Sequence, residues 1–298
     1  MKPKCSSTRL ANLSLLLISL IWGSGFIATE MAIRAGVDVT AITALRFLIA
    51  ALIMLPMQFK RLKLITRKQL RTGFIAGTLL GLAFLAQTYG QAHSSVSSCA
   101  LITATNVIMV PFIGWAFTRK RPSLKTGILA LFTLIGMAIL TYQPGSGSIV
   151  FSHGDFFVLL CAFLYALHIS YLGIASREID SRLFTFLQMI FAGLIAFLFL
   201  PFTYTGQSIN NLLEGFLPIL YLAVFSTCLC FYIQTSAQKK TSAAKTAIIL
   251  STEGLFGALF SVALGLENFT WQMGVGGVII ISCVILTEAN FKAKKEMP

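Results

Sequence analysis

The groups that could do chemistry stand one at a time inside apolar runs. Glu253 sits in LSTEGLFGALF and Arg46 in ITALRFLIAALIML. Ionisable side chains are costly in such surroundings and read first as functional. Glu253 is the candidate for holding or exchanging a proton or cation; its competing role is a structural hydrogen bond to a neighbouring helix. Arg46 is an anion contact or a gate charge, or else a structural cation paired with Glu30 or Asp38, or one snorkelling to the interface. Neutral polar groups follow the same pattern. Gln87 and Gln91 share a helical face, Asn106 lies with Thr103, and Gln234 ends a run. Tyr165 and His168 share another face, with Tyr171 three residues on. Ser19, Trp22 and Phe26 have one-face spacing, and Ser24 lies between two glycines in WGSGF. Amides and hydroxyls suit a zwitterion, a hydroxyl or a nucleobase. Each can equally stitch helices together.

Covalent chemistry finds less support. Ser24 with a histidine base would be the nucleophile arrangement. However, the GSG triplet lacks the GxSG form of intramembrane serine proteases, and only His168 of the three histidines is expected to lie deep. There is no HExxH and no GxxxxGK[ST] phosphate loop. The six cysteines form no CxxC pair and read as small apolar residues. No metal or cofactor is expected, and the chain is read as a non-enzyme. An intramembrane enzyme, a channel or a membrane sensor or scaffold remain the competing classes; no charged ring or carbonyl filter motif supports a channel.

The elements that must position these residues are helices in a bilayer. Of 298 residues, 56% are apolar and 11% charged, with mean hydropathy +0.84, too little charge to coat a water-facing surface. Ten apolar stretches are long enough to span: 10–29, 38–57, 72–92, 96–118, 124–142, 155–175, 183–203, 214–234, 243–265 and 270–288. Alternate connections, counting both termini, hold 21 of the 23 Lys and Arg residues; the exceptions are Arg34 and Arg46. Such loops stay cytoplasmic, so both termini are expected inside, in a plasma or bacterial inner membrane, with an uncleaved first helix. The net charge of +13 then reflects orientation, and no nucleic-acid partner is expected. Oligomeric state is not readable.

The halves repeat. At an offset of 142, Asp38 meets Asp180, Ala50 meets Ala192, Gly73-Phe74 meets Gly215-Phe216, and Arg46 meets neutral Gln188. Leu-Pro recurs at 55–56 and 200–201, and SSVSSCALITA resembles KKTSAAKTAII, where the offset has drifted. Five spans per copy make the second copy enter from the opposite side. The expected fold is therefore an all-α integral membrane protein, ten transmembrane helices as two inverted five-helix repeats around a midplane site. The copies are placed at 8–143 and 155–290, with an outer linker at 144–154. Two small-residue strips, Gly73, Gly77, Gly81 and Gly257, Ser261, Gly265, are read as helix-packing faces.

ISLIWGSGFIATEMA, ITALRFLIAALIML, GDFFVLLCAFLYALHIS and ILSTEGLFGALFSVALGLENFTWQMGVGGVIIIS occur in this order across nearly the whole chain. In order and spacing they resemble the EamA-domain permeases of the drug/metabolite transporter superfamily. The resemblance implies ten spans, cytoplasmic termini and a central cavity lined mainly by spans one, three, four, six, eight and nine. It also implies a cofactor-free secondary carrier of small organic metabolites such as amino acids, often moved outward, by alternating access. Two departures stand out. Glu253 is followed by Gly254 where the family often has Glu-Pro, which removes a proline kink. RKRP at 119–122 replaces a family Gly-Glu, although Leu-Glu at 266–267 matches it in the second copy.

Overall fold

The computed structural model describes residues 5–94, 96–142, 152–203, 206–265 and 268–293, with side chains described for these except at 5–7, 96–97 and 288–293. The linker 144–154 falls mostly outside them, as does Leu-Glu 266–267. Among the described residues every regular element is helical. Three long helices open the chain: α1 (Cys5–Arg34), α2 (Val39–Leu62) and α3 (Arg67–Ala92). Side chains set their starts. Asp38 accepts from the backbone N–H of Thr40 and Ala41, and Thr66 forms a reciprocal capping box with Gln69. Then come α4 (Val96–Ala104), α5 (Asn106–Thr118), α6 (Leu124–Thr141), α7 (His153–Ala175) and α8 (Ser181–Thr203). The rest is more broken: α9 (Ile209–Glu214), α10 (Phe216–Tyr221), a π-helical stretch Leu222–Leu229, α11 (Cys230–Ala237), α12 (Ala243–Leu250), α13 (Glu253–Ala263) and α14 (Trp271–Ala293).

Nine helical stretches among the described residues are long and apolar enough to cross a bilayer, and Trp271–Thr287 is a shorter apolar helix. Three of the nine are composite: α4 with α5, α10 through α11, and α12 with α13. The polarity is that of a membrane protein. Leu52, Phe132, Phe163 and Leu198 face outward, whereas Thr43, Arg46, Gln188 and Gln234 are buried. Only an apolar solvent makes that distribution cheap.

The ninth span bends even without the Glu-Pro kink of the family it resembles. It breaks at Ser251–Thr252 although no proline is present. The hydroxyls of Ser251 and Thr252 donate to the carbonyls of Ile248 (2.7 Å) and Ile249 (2.8 Å), three residues back. Such local bonds compete with the helical ladder and turn the chain. The fourth span breaks in the same way at Thr105, whose hydroxyl donates to the Ile102 carbonyl at 2.6 Å.

The two small-residue strips fare differently. A Cβ added at Gly77 would lie 2.6 Å from Phe191 Cβ, and one at Gly81 would lie 2.9 Å from the Ala192 carbonyl; at Gly73 it would overlap Leu187. That strip is where α3 lies against α8. Gly257, Ser261 and Gly265 do not form one face. Gly257 adjoins Gly23, but Gly265 lies past the end of α13 at φ +69°, with nothing within 4 Å of an added Cβ. A left-handed residue just beyond a helix end is a stop signal, which the spacing alone mimicked.

Candidate functional site

Between the helices lies a pocket with about 730 Å³ of empty space, open solvent included. Its first side comes from α1, whose Trp22, Phe26 and Thr29 line it. Ser19, one turn below on the same face, donates to the Ile249 carbonyl at 3.2 Å and ties α1 to α12. Gly23 allows the approach to α13: a Cβ there would fall 2.7 Å from the Gly257 nitrogen and 2.9 Å from the Glu253 carbonyl. Trp22 Nε1 donates to the Ser226 carbonyl at 2.8 Å, so the ring is held across the pocket.

Arg46 enters from α2 and is 3% exposed. Its Nε donates to Thr227 Oγ1 at 2.9 Å and its Nη2 to Ser226 Oγ at 3.0 Å. The guanidinium carbon lies 4.3 Å from the Phe84 ring centroid, a cation–π contact. Neither carboxylate partner considered from sequence is used. Glu30 pairs with Arg34 at 2.8 Å, and Asp38 caps α2.

Glu253 is the first residue of α13, placed in the pocket by the break before it. Asn106 is likewise the first residue of α5 and lines the same pocket. No ion pair among the described residues involves Arg46 or Glu253; the pairs present are Glu30–Arg34, Arg61–Asp180 and Lys68–Glu178. The site thus keeps one cation and one acidic side chain that do not neutralise each other.

The remaining wall is aromatic and amide. Tyr165 donates to Gln87 Oε1 at 3.1 Å. His168 Nε2 pairs with Gln188 Oε1 at 2.8 Å, and the Gln188 amide nitrogen donates to Thr235. Phe231 stacks at an angle on Trp22, with centroids 5.3 Å apart, and edge-on to Phe84 at 5.9 Å. Gln234 lines the pocket, and its side-chain oxygen has no hydrogen-bond partner among the described residues.

Of the candidates read from sequence, the pocket gathers Trp22, Arg46, Gln87, Asn106, Tyr165, His168, Gln234 and Glu253. Ser24 is the correction. It is absent from the lining; its hydroxyl donates to the Ile21 carbonyl at 2.7 Å and meets Tyr221 Oη at 2.5 Å. One position from Gly23 on α1, it is rotated off the pocket-facing stripe. With His168 committed to Gln188, no Ser–His pair forms among the described residues. The second span also contributes, through Arg46, although the family resemblance had not placed it in the lining. Sequence reasoning passed over Thr29, Thr88, Ser226 and Ser251, all in the wall. Small hydroxyl residues in apolar helices usually bond their own backbone, so no signal set these four apart.

Helices that are apolar outside and hold a pocket of mixed polar and aromatic side chains fit a membrane transporter. The sequence matches the EamA-like transporter family twice, over residues 9–142 and 152–288. The chain belongs to that family and is a multi-pass membrane protein. An uncharacterized transporter of Archaeoglobus fulgidus is 29% identical over 276 residues, covering 93% of this chain and 85% of the relative. Uncharacterized transporter YetK of Bacillus subtilis is 25% identical, covering 97% of this chain and 89% of its own. A solved structure described only as "Crystal structure of protein" superposes with TM-score 0.75 at 16% identity, over 99% of this chain and 100% of that one, which establishes a shared fold.

Proposed function

We propose that this transporter is a secondary carrier of small amphoteric organic solutes, amino acids among them, moved outward by alternating access. The observation that carries this reading is the pairing of opposites in one pocket. Arg46 and Glu253 share its walls without an ion pair among the described residues, and Trp22, Phe84 and Phe231 line it with them. Such a site offers a guanidinium to a carboxylate and a carboxylate to an ammonium, with rings for an apolar side chain. Glu253 is also the group assigned to proton or cation coupling.

The architecture proposed with it has ten spans, both termini cytoplasmic, in the cell membrane, with inverted copies at 8–143 and 155–290. Its support is the double family match, the alternation of basic loops and the two breaks that present Asn106 and Glu253. Purified protein in liposomes should show saturable counterflow of labelled amino acids. Glu253→Gln should flatten the pH dependence of that flux while membrane insertion stays normal. Wild-type pH dependence in this variant would remove Glu253 from coupling, and no counterflow across an amino-acid panel would remove the substrate class.

A further inference from the structure

The buried cation of the pocket is aimed by a feature that the carrier reading does not require. Neighbouring residues on an α-helix point in different directions. Yet Ser226 and Thr227 are neighbours, and both hydroxyls accept from the single guanidinium of Arg46, at 3.0 and 2.9 Å. The segment that carries them, Leu222–Leu229, is π-helical, and its wider turn changes the angle between adjacent side chains. The Ser226 carbonyl is also the acceptor for Trp22 Nε1. One irregular turn therefore fixes both the cation and the indole of the opposite wall.

The chemistry of the partners matters as much as their geometry. A carboxylate would have cancelled the charge of Arg46; two hydroxyls orient the guanidinium and leave its charge for a ligand. They occupy Nε and Nη2, and Nη1 carries no hydrogen bond among the described residues. The contrast with the matching position in the other half is sharp. Gln188 is neutral and takes part in hydrogen bonds with His168 and Thr235.

We infer that Ser226 and Thr227 are positioning residues: the π-helical turn holds Arg46 so that it receives the carboxylate of the solute and fixes which end of the molecule enters first. This rests on the reading of Arg46 as the anion contact. It adds that substrate orientation is set from the eighth span, by groups that do not themselves meet the solute's charge.

The test uses full-length protein in detergent and matched probes that differ by one carboxylate: L-leucine against 3-methylbutylamine, and L-phenylalanine against 2-phenylethylamine. Wild type should bind each acid more tightly than its amine. Thr227→Val should weaken binding of the acids by about tenfold, the scale of one hydrogen bond to a charged group, and leave the amines unchanged; Ser226→Ala, at a wall residue, should weaken the acids more than the amines. Thr227→Ser should restore the wild-type ratio. Equal losses for acids and amines, or no loss, would overturn the positioning role, because a merely loosened pocket does not select for a carboxylate. Arg46→Gln separates the two readings. If it abolishes discrimination while Thr227→Val and Ser226→Ala preserve it, the positioning claim alone fails. If wild type discriminates neither pair, or Arg46→Gln leaves discrimination intact, the anion reading of Arg46 fails and takes the positioning claim with it.

Discussion

The fourth and ninth spans break alike and present different chemistry. At Thr105 the backbone is at φ −61°, ψ −18°, and at Thr252 it is at φ −66°, ψ −8°. Each threonine hydroxyl donates to the carbonyl three residues back, Ile102 or Ile249. Each break is followed at once by a residue of the pocket wall, which is neutral Asn106 in one half and Glu253 in the other. Other pairs sit at the same offset of 147: Gln87 with Gln234, both in the wall, and Gln91 in the wall with Gln238 outside it. The backbone device is common to both halves, while the charge it displays belongs to one. With Arg46 in the first half answered by Gln188 in the second, the cationic wall residue comes from one half and the acidic one, Glu253, from the other. A backbone device shared by both halves thereby displays different chemistry in each.

The largest expected effect comes from erasing that difference. Glu253→Asn makes the two breaks chemically alike, and binding of 2-phenylethylamine should weaken by about 1.5–3 kcal/mol, roughly ten- to a hundredfold, as one charge-assisted contact is lost. Adding Asn106→Asp to that variant should restore part of the affinity, because the first break presents its residue to the same pocket. Undiminished amine binding in Glu253→Asn, measured by titration calorimetry, would show that the charge difference between the breaks does not serve the ligand.

Much of this was legible because a polar residue in a membrane run has few places to go. Arg46, Gln87, Asn106, Tyr165, His168, Gln234 and Glu253 were picked out by type and surroundings alone, and all line the pocket. Trp22 followed from helical spacing. What escaped notice was backbone irregularity without glycine or proline. TATN and LSTE carry the two breaks, and LAVFSTCL carries the π turn, yet each reads as ordinary apolar helix with small hydroxyls. Their geometry depends on side chains returning to their own carbonyls, an option open to every Ser and Thr. Spacing also misled where it had no contact to match, as at Gly265.

A smaller effect tests how closely each break is held. Gly23 puts α1 against the start of α13, and a Cβ there meets Gly257, Phe256 and the Glu253 carbonyl within 2.9 Å. Ala166, 143 positions on, lies on α7, is fully buried and belongs to one apolar cluster with Val107 and Val110. Gly23→Ala should cost about 1–3 kcal/mol by overpacking, whereas Ala166→Gly should cost about 0.5–1 kcal/mol through helix propensity. Thermal unfolding in detergent gives both numbers. If Gly23→Ala proves the milder change, α1 does not approach the charged break more tightly than α7 approaches the neutral one.

The finest difference lies in the paired amides. Gln91 Nε2 donates to the Phe26 carbonyl and Gln238 Nε2 to the Ile169 carbonyl, both at 3.0 Å. Phe26 and Ile169 are again 143 positions apart. The amides differ in their surroundings: Gln91 lines the pocket, whereas Gln238 Oε1 is buried without a hydrogen-bond partner among the described residues. Removing a satisfied group forfeits its bond, while removing a half-satisfied one also relieves a desolvation penalty. Gln91→Leu should therefore lower stability by about 0.5–1.5 kcal/mol, and Gln238→Leu should be nearly neutral. Both carbonyls keep their helical N–H donors, so neither change orphans the backbone. Equal losses in the two variants would mean that the Gln238 oxygen is hydrated in the membrane, and the asymmetry between these two ties would then disappear.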